Sequence, residues 1–157
     1  MPLSPREVFL KLVNGVADQD VAALPQLYAE HTDVRHPMAP LGIPPLTTRA
    51  ELRKHFERPE LAQVARLRVR PADIVVHETA DPEVIVAEFS YAGTHPETGE
   101  AFAVPCVFVM RVRDGEIVES RDYVDHLRFA RLRGQLDDLW ARLHAQARTK
   151  PPVLAPQ

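Results

Sequence analysis

Three side chains of this 157-residue chain have the chemistry and the setting to move protons: Asp122, His36 and Tyr91. Asp122 lies in a strand-like segment, and in one hairpin register it is the only carboxylate on a strongly apolar face. Burial disfavours a charged carboxylate and raises its pKa toward neutrality, which suits a general acid or base. A strand aspartate also commonly pairs with an arginine or caps a loop, so both interpretations stay open.

His36 and Tyr91 are the candidates to assist Asp122. His36 lies in the segment 33–37, where a histidine can take or give a proton near cellular pH. Tyr91 belongs to the more apolar of the two alternating sets at 84–91, which is expected to face inward and make its hydroxyl a donor. Simple exposure of His36 and a packing role for Tyr91 are the alternatives.

The hairpin turn at 113–115 decides whether Asp122 faces inward. A two-residue turn would pair Arg113 with Glu116, whereas a three-residue loop would pair Val112 with Glu116. A shift of one residue moves every side chain of the following strand to the other face. We favour the three-residue loop, because it separates apolar from polar side chains better and directs Asp122 inward.

The elements that must position these groups follow from hydrophobic periodicity. Capping boxes at Ser4 and Thr48 open two helices, the first running to about Asp18 and the second ending near Pro59. A shorter helix after Asp20 and a long proline-rich loop at 31–47 separate them. A final helix, capped by Asp125, covers about 126–148. The predicted strands are 74–76, 84–91, 101–112 and 116–124.

Helices followed by hairpin-linked strands and a last helix predict an α+β fold, with an antiparallel sheet covered on one face. A curved sheet of this kind, with helices on its concave side, encloses a pocket. We predict one domain over 1–148 and a frayed tail at 149–157.

Composition excludes several classes of function. With 19 basic and 22 acidic residues, the net charge is −3, so neither nucleic acid nor a membrane surface is an expected partner. The single cysteine, Cys106, rules out an intrachain disulfide and a thiolate zinc site. Without metal-ligand spacing, a P-loop or a dinucleotide motif, no cofactor and no metal are expected. The sequence has neither a signal-like start nor a long apolar span, which predicts a cytoplasmic protein.

The order of elements, the segment HTDVRHP with its proline-rich loop, and the late strand GEIVESRDYVDH resemble the nuclear transport factor 2-like superfamily. Within it, SnoaL-like proteins, the group of polyketide cyclases, ketosteroid isomerase and limonene epoxide hydrolase, are the most similar. The resemblance covers about 5–145. It implies a cone-shaped, cystatin-like α+β barrel with a deep apolar pocket, commonly dimeric.

The resemblance also bears on single residues. Asp122 matches an aspartate that activates water in the epoxide hydrolase, but the hydrolase's Arg-x-Asp pair falls on Phe89 and Tyr91. His36 stands before a proline, where the isomerase has its aspartate base. The match to the cyclases is better, because a single pocket aspartate serves as their acid and base.

The function predicted is therefore that of a cofactor-independent acid/base enzyme, of isomerase or cyclase type, acting on a hydrophobic carbonyl-bearing small molecule. The alternatives are epoxide hydrolase-like water activation and a non-catalytic small-molecule-binding module. An outer sheet face with Val107, Val109, Ile117 and Tyr123 predicts a homodimer through the sheet. The residues expected to line the pocket are Tyr28, Phe56, Phe89, Cys106, Phe108, Met110, Ser120 and Val124.

Overall fold

The computed structural model describes residues 1–149. The helices are α1 (Pro5–Asp18), a short 3₁₀ helix (Leu24–Leu27), α2 (Arg49–Phe56), α3 (Pro59–Arg66), α4 (His126–Leu132) and α5 (Leu136–Thr149). The strands are β1 (Tyr28–Arg35), β2 (Leu46–Thr48), β3 (Arg70–Glu78), β4 (Val84–Thr94), β5 (Ala101–Arg113) and β6 (Glu116–Val124).

The six strands form one curved sheet in the order β2-β1-β6-β5-β4-β3. The prediction of an α+β fold is confirmed. Every neighbouring pair is antiparallel except β1 and β6, which are parallel. The expectation of a wholly antiparallel sheet fails at this pair because a long stretch of chain separates the two strands, so no hairpin fixes their relative direction.

Helix α1 covers the inner face of the sheet, as its sequence predicts. The Ser4 side chain accepts the backbone N–H of Glu7, whose carboxylate accepts the Ser4 N–H at 2.8 Å, so the capping box is complete. The Phe9 ring packs edge-on against Phe89 and Phe108, with centroids 5.4 and 6.4 Å apart. Fully burying one such side chain contributes about 1.5–3 kcal/mol, so α1 is fixed firmly on the sheet.

The structure differs from the prediction between residues 20 and 66. Tyr28 opens β1 instead of ending a helix, and the predicted loop at 31–47 shortens to 36–45. Strand β1 was missed because its register shifts between Tyr28 and Asp33, which breaks the two-residue alternation of buried side chains. Helix α3 was missed as well: Pro59 starts a new helix rather than only ending α2.

The β5–β6 turn is the two-residue turn, so the preference for a three-residue loop was wrong. Arg113 pairs with Glu116 across Asp114 and Gly115. Both turn residues have positive φ, 52° and 79°, the conformation that a tight Asp-Gly hairpin requires.

A bulge nevertheless turns Asp122 inward. The register shifts between Arg111 and Val112, which leaves Val118 as an extra residue on β6 and places Asp122 opposite Phe108. The inward orientation of Asp122 is thus confirmed, by a different route from the one predicted. The two-residue turn pairs Ile117 with the buried Val112, so Ile117 is completely buried and does not belong to the outer face.

The helical segment after β6 consists of two helices. Asp125 caps α4 as predicted, accepting the Arg128 N–H at 2.8 Å. Gly134, with φ 66°, ends that helix before α5 begins. Trp140 on α5 is 65% exposed, so the predicted apolar stripe is only partly covered. Apart from Thr149, which ends α5, the tail predicted at 149–157 lies outside the described residues. Among residues 1–149, no helix has the length and apolarity to cross a membrane.

Candidate active site

A cavity of about 460 Å³ lies between the sheet and the helices, within the size range of small-molecule sites. Its lining comes from the sheet and from the helices, which we call the sheet wall and the helix wall. The sheet wall comprises Tyr28, Val34, Tyr91, Phe108, Asp122 and Val124; the helix wall comprises His55, Arg58, His126 and Arg133, from α2 to α4 and their ends. The 36–45 loop is held beside the cavity by Gln146, whose Nε2 donates to the Leu41 carbonyl at 2.9 Å.

Asp122 is the carboxylate of the sheet wall. It is only 6% exposed and lies opposite Phe108 on β5. Burial raises its pKa to about 7, although a hydrogen bond from the Ser120 hydroxyl to Oδ1 acts in the opposite direction. Near neutral pH the group therefore exists in both protonation states, which is the condition for giving and taking a proton.

His36 is brought to Asp122 by the parallel pairing of β1 with β6. Arg35 pairs with Arg121, so the residues that follow them, His36 and Asp122, lie side by side. His36 Nε2 is 3.8 Å from Asp122 Oδ2, beyond hydrogen-bonding distance. Burial, with His126 and Arg58 nearby, lowers the pKa of His36 to about 4. The imidazole is thus neutral at pH 7, and the two groups do not form an ion pair.

Two buried tyrosines share the sheet wall with Asp122. Burial raises the pKa values of Tyr28 and Tyr91 well above the usual range, and the charge of Asp122 raises them further. Both hydroxyls therefore stay protonated and can donate hydrogen bonds. The position of Tyr28 is fixed by Arg49, whose Nε and Nη2 donate to the Tyr28 carbonyl at 3.0 and 2.8 Å.

Two further histidines join His36. The rings of His36 and His55 stack with centroids 5.1 Å apart, and the His126 ring lies 6.4 Å from that of His36. Burial first, and then Arg58, lowers the pKa of His55 to about 3. Burial also lowers the pKa of His126, together with the charge of Arg133. The three imidazoles are neutral at pH 7.

Sequence reasoning did not identify His55, and it gave His126 little weight. A signal existed for His55, since Leu52, His55 and Phe56 recur at helical spacing on one face of α2. Neither Arg58 nor Arg133 had a comparable signal.

The comparisons with known proteins agree with this architecture. The family model of the SnoaL-like domain matches residues 9–120. The chain belongs to the SnoaL-like family. An uncharacterized PhzA/B-like protein of Pseudomonas aeruginosa is 28% identical to this SnoaL-like protein over 126 residues, 80% of this chain and 87% of the relative.

Two solved structures share the fold. A proposed isomerase of Bacillus subtilis superposes with a TM-score of 0.68 at 24% identity, covering 82% of this chain and 91% of its own. A proposed polyketide cyclase of Pseudomonas putida has a TM-score of 0.57 at 19% identity, covering 77% and 91%. At these identities the likeness concerns the fold.

The SnoaL-like cavity contains part of the predicted pocket set. Asp122, His36 and Tyr91 all line it, as do Tyr28, Phe56, Phe108 and Val124. The predicted lining residues that do not reach it are Phe89, Cys106, Met110 and Ser120, all of them buried. They lie on the inward face, but packing covers them; Phe89, for example, lies against Phe9 of α1.

Cys106, the single cysteine of the SnoaL-like chain, is free and buried. Burial raises the pKa of the Cys106 thiol to about 12, so the sulfur is protonated and a poor nucleophile. Within the described part of the chain, no group of three or more histidine, cysteine, aspartate or glutamate side chains is placed to hold a metal ion.

Proposed function

We propose that the cavity is the active site of a cofactor-independent acid/base enzyme, of isomerase or cyclase type, acting on a hydrophobic carbonyl-bearing small molecule. One observation carries the proposal: a carboxyl group with a pKa of about 7, Asp122, lies on an apolar wall beside a neutral imidazole. This is the protonation pattern that proton transfer near neutral pH requires.

In this mechanism Asp122 acts first as a base. Its carboxylate removes a proton from the carbon next to the substrate carbonyl, and the electron pair moves to the carbonyl oxygen as an enolate. In an isomerisation, Asp122 returns the proton at another carbon and the double bond shifts. In a cyclisation, the enolate carbon bonds to a second carbonyl carbon of the same molecule, whose oxygen takes the proton.

The enolate oxygen needs hydrogen-bond donors that are already in place. Tyr28 and Tyr91 supply hydroxyls that remain protonated, and neutral His36 supplies one ring N–H. Donors that do not ionise at working pH can stabilise the developing charge without giving up their own proton. Removing one such donor typically costs about 10²–10³-fold in rate.

The test is proton exchange at carbon in D₂O, followed by NMR over a panel of hydrophobic ketones. We expect the wild-type protein to exchange the protons next to the carbonyl of at least one compound, and Asp122→Asn to lose about 10²–10⁴-fold of that rate. Glu83→Gln is the matched control, because this carboxylate lies in the turn before β4, pairs with Arg113 and does not line the cavity; it should keep the wild-type rate. Equal exchange by the wild type and Asp122→Asn would remove Asp122 from the mechanism.

Hydrolysis of an epoxide uses the same carboxylate to deprotonate water. Labelled water separates this reaction from isomerisation and cyclisation, because only hydrolysis incorporates its oxygen into the product. A protein that binds ketones in the cavity but accelerates neither exchange nor incorporation is a binding module.

We also propose a homodimer through the outer face of the sheet. Val107, Val109 and Tyr123 are half-buried there, and Val75 on β3 is 49% exposed. A second copy would cover this apolar strip. Light scattering should give twice the mass of the chain, and Val109→Asp should reduce it to the mass of the monomer. A wild-type monomer would contradict the proposal.

A further inference from the structure

The helix wall contains a guanidinium group that forms no ion pair within residues 1–149. Arg133, which follows α4, lines the cavity and is partly buried. No carboxylate of residues 1–149 lies within 4.0 Å of its nitrogens, and its Nε is buried without an acceptor. Desolvation of the guanidinium lowers its pKa, and Glu60 offsets this only in part. A buried charge without a partner is costly, so the arrangement favours a ligand that supplies one.

Burial sets Arg133 apart from the other arginines. Three arginines of residues 1–149 are partly buried, Arg49, Arg111 and Arg133, and the first two each have carboxylates within 4.0 Å. Arg58, the other arginine of the helix wall, has no such pair within residues 1–149, and its Nε donates only to the His55 carbonyl, at 3.4 Å. Arg58 is exposed, whereas Arg133 is the one partly buried arginine of residues 1–149 that has no carboxylate within 4.0 Å.

The groups around them neutralise this charge only in part. The three histidines of the cavity are neutral at pH 7, and Arg58 disfavours protonation of each of them. Two acidic side chains also line the cavity on the helix side, Glu60 and Asp138, but Asp138 already faces Arg142 at 3.9 Å. The potential on this wall therefore favours an anion.

We infer that the substrate carries a carboxylate, which binds to Arg133 with Arg58 on the helix wall, while its carbonyl lies at Asp122 on the sheet wall. The planar guanidinium presents parallel N–H donors that match the two oxygens of a carboxylate. The inference rests on the proposed function for the position of the carbonyl. It adds that the ligand has an acidic end and an apolar body, and that the acidic end fixes its orientation.

The experiment compares two ligands of equal shape, 2-naphthoate and 2-naphthamide, by calorimetric titration at about pH 6, where Asp122 is mostly protonated. We expect the wild type to bind the carboxylate at least about tenfold more tightly than the amide, the size of effect expected for a charge-assisted hydrogen bond. Arg133→Gln should abolish this preference while changing amide binding by less than about twofold. Arg133→Lys keeps the positive charge but not the parallel N–H donors of the guanidinium, so it should retain part of the preference.

Arg131→Gln is the matched control, because Arg131 lies two residues before Arg133, in α4, but is exposed and does not line the cavity. It should keep the full preference. Equal binding of the two ligands by the wild type, no binding of the carboxylate, or an unchanged preference in Arg133→Gln would each overturn the inference. Because only binding is measured, its failure is distinct from that of the proposed function, which is decided by proton exchange in Asp122→Asn.

Discussion

The pKa values of a carboxyl group on the inner face of the sheet and of one paired with outer-face arginines are shifted in opposite directions. On the inner face, Asp122 is buried and, within residues 1–149, accepts a hydrogen bond from Ser120 alone; its pKa is raised to about 7. In the turn before β4, Glu83 accepts hydrogen bonds from Arg111 and Arg113 of β5 at 2.9–3.1 Å, and its pKa is lowered. The two carboxyl groups therefore differ in their surroundings, one buried against the cavity and the other paired with arginines.

The difference shows that solvent and partners, rather than residue type, make a carboxylate reactive. Glu83 is ionised at neutral pH because two guanidinium groups and water stabilise its charge. Asp122 is only 6% exposed and has no guanidinium within 4.0 Å among residues 1–149, so it changes its protonation state where a catalyst works.

The largest expected difference between the faces is in the pH dependence of catalysis. Asp122 must be ionised to act as a base, so the exchange rate should rise about a hundredfold from about pH 5 to about pH 8.5, with a midpoint near its pKa of about 7. The profile of Glu83→Gln should coincide with that of the wild type. A flat wild-type profile would show that the inner carboxylate is not the base.

The next effect is on stability. The folded-state pKa of Asp122, about 7, lies above its ordinary value of 3.8, so the folded protein binds more protons between these values and loses stability as pH rises through them. Asp122→Asn should therefore match the wild type below about pH 4 and exceed its unfolding free energy by roughly 2–4 kcal/mol at about pH 8. Urea denaturation at both pH values measures this. Glu83→Gln should instead lose stability, because the arginines that lower its pKa lose their acceptor.

The buried histidines should act in the opposite direction. The pKa of His55 falls from 6.5 to about 3 on folding, so the unfolded chain binds more protons between these values and stability is lost as pH falls below 6.5. His55→Gln should lessen the loss between pH 7 and pH 5 by about 2 kcal/mol. His144→Gln, on an exposed part of α5, is the control and should follow the wild type. An equal acid sensitivity of His55→Gln and the wild type would show that His55 is solvated.

The smallest effect is expected from the outer ion pairs. Arg111 reaches Asp81, Glu83 and Glu119 at 2.7, 3.1 and 3.3 Å, all in partial contact with water. Arg111→Gln should lower the denaturation midpoint slightly at low salt, and the difference should shrink at high salt, because mobile ions screen exposed charges. A large loss of stability in Arg111→Gln that persists at high salt would mean that these ion pairs are shielded from water and mobile ions.

Local sequence signals predicted the parts of the fold that local interactions determine. The capping boxes at Ser4 and Thr48 start helices where predicted. Alternation placed Phe89 and Tyr91 on the inner side of β4. The segment 28–35 was misassigned because its bulge disrupts the alternation that identifies a strand.

The sequence by itself determined that Asp122 is a carboxylate in a strand among apolar neighbours, and that helices cover one face of the sheet. Only the tertiary structure decided that His36 stands beside Asp122 and that His55, Arg58 and Arg133 line the same cavity. The physical reason is that side-chain orientation in β6 depends on a bulge at Val118, and the meeting of His36 with Asp122 depends on β1 pairing in parallel with β6. Neither the bulge nor the parallel pairing produces a periodic pattern in the sequence.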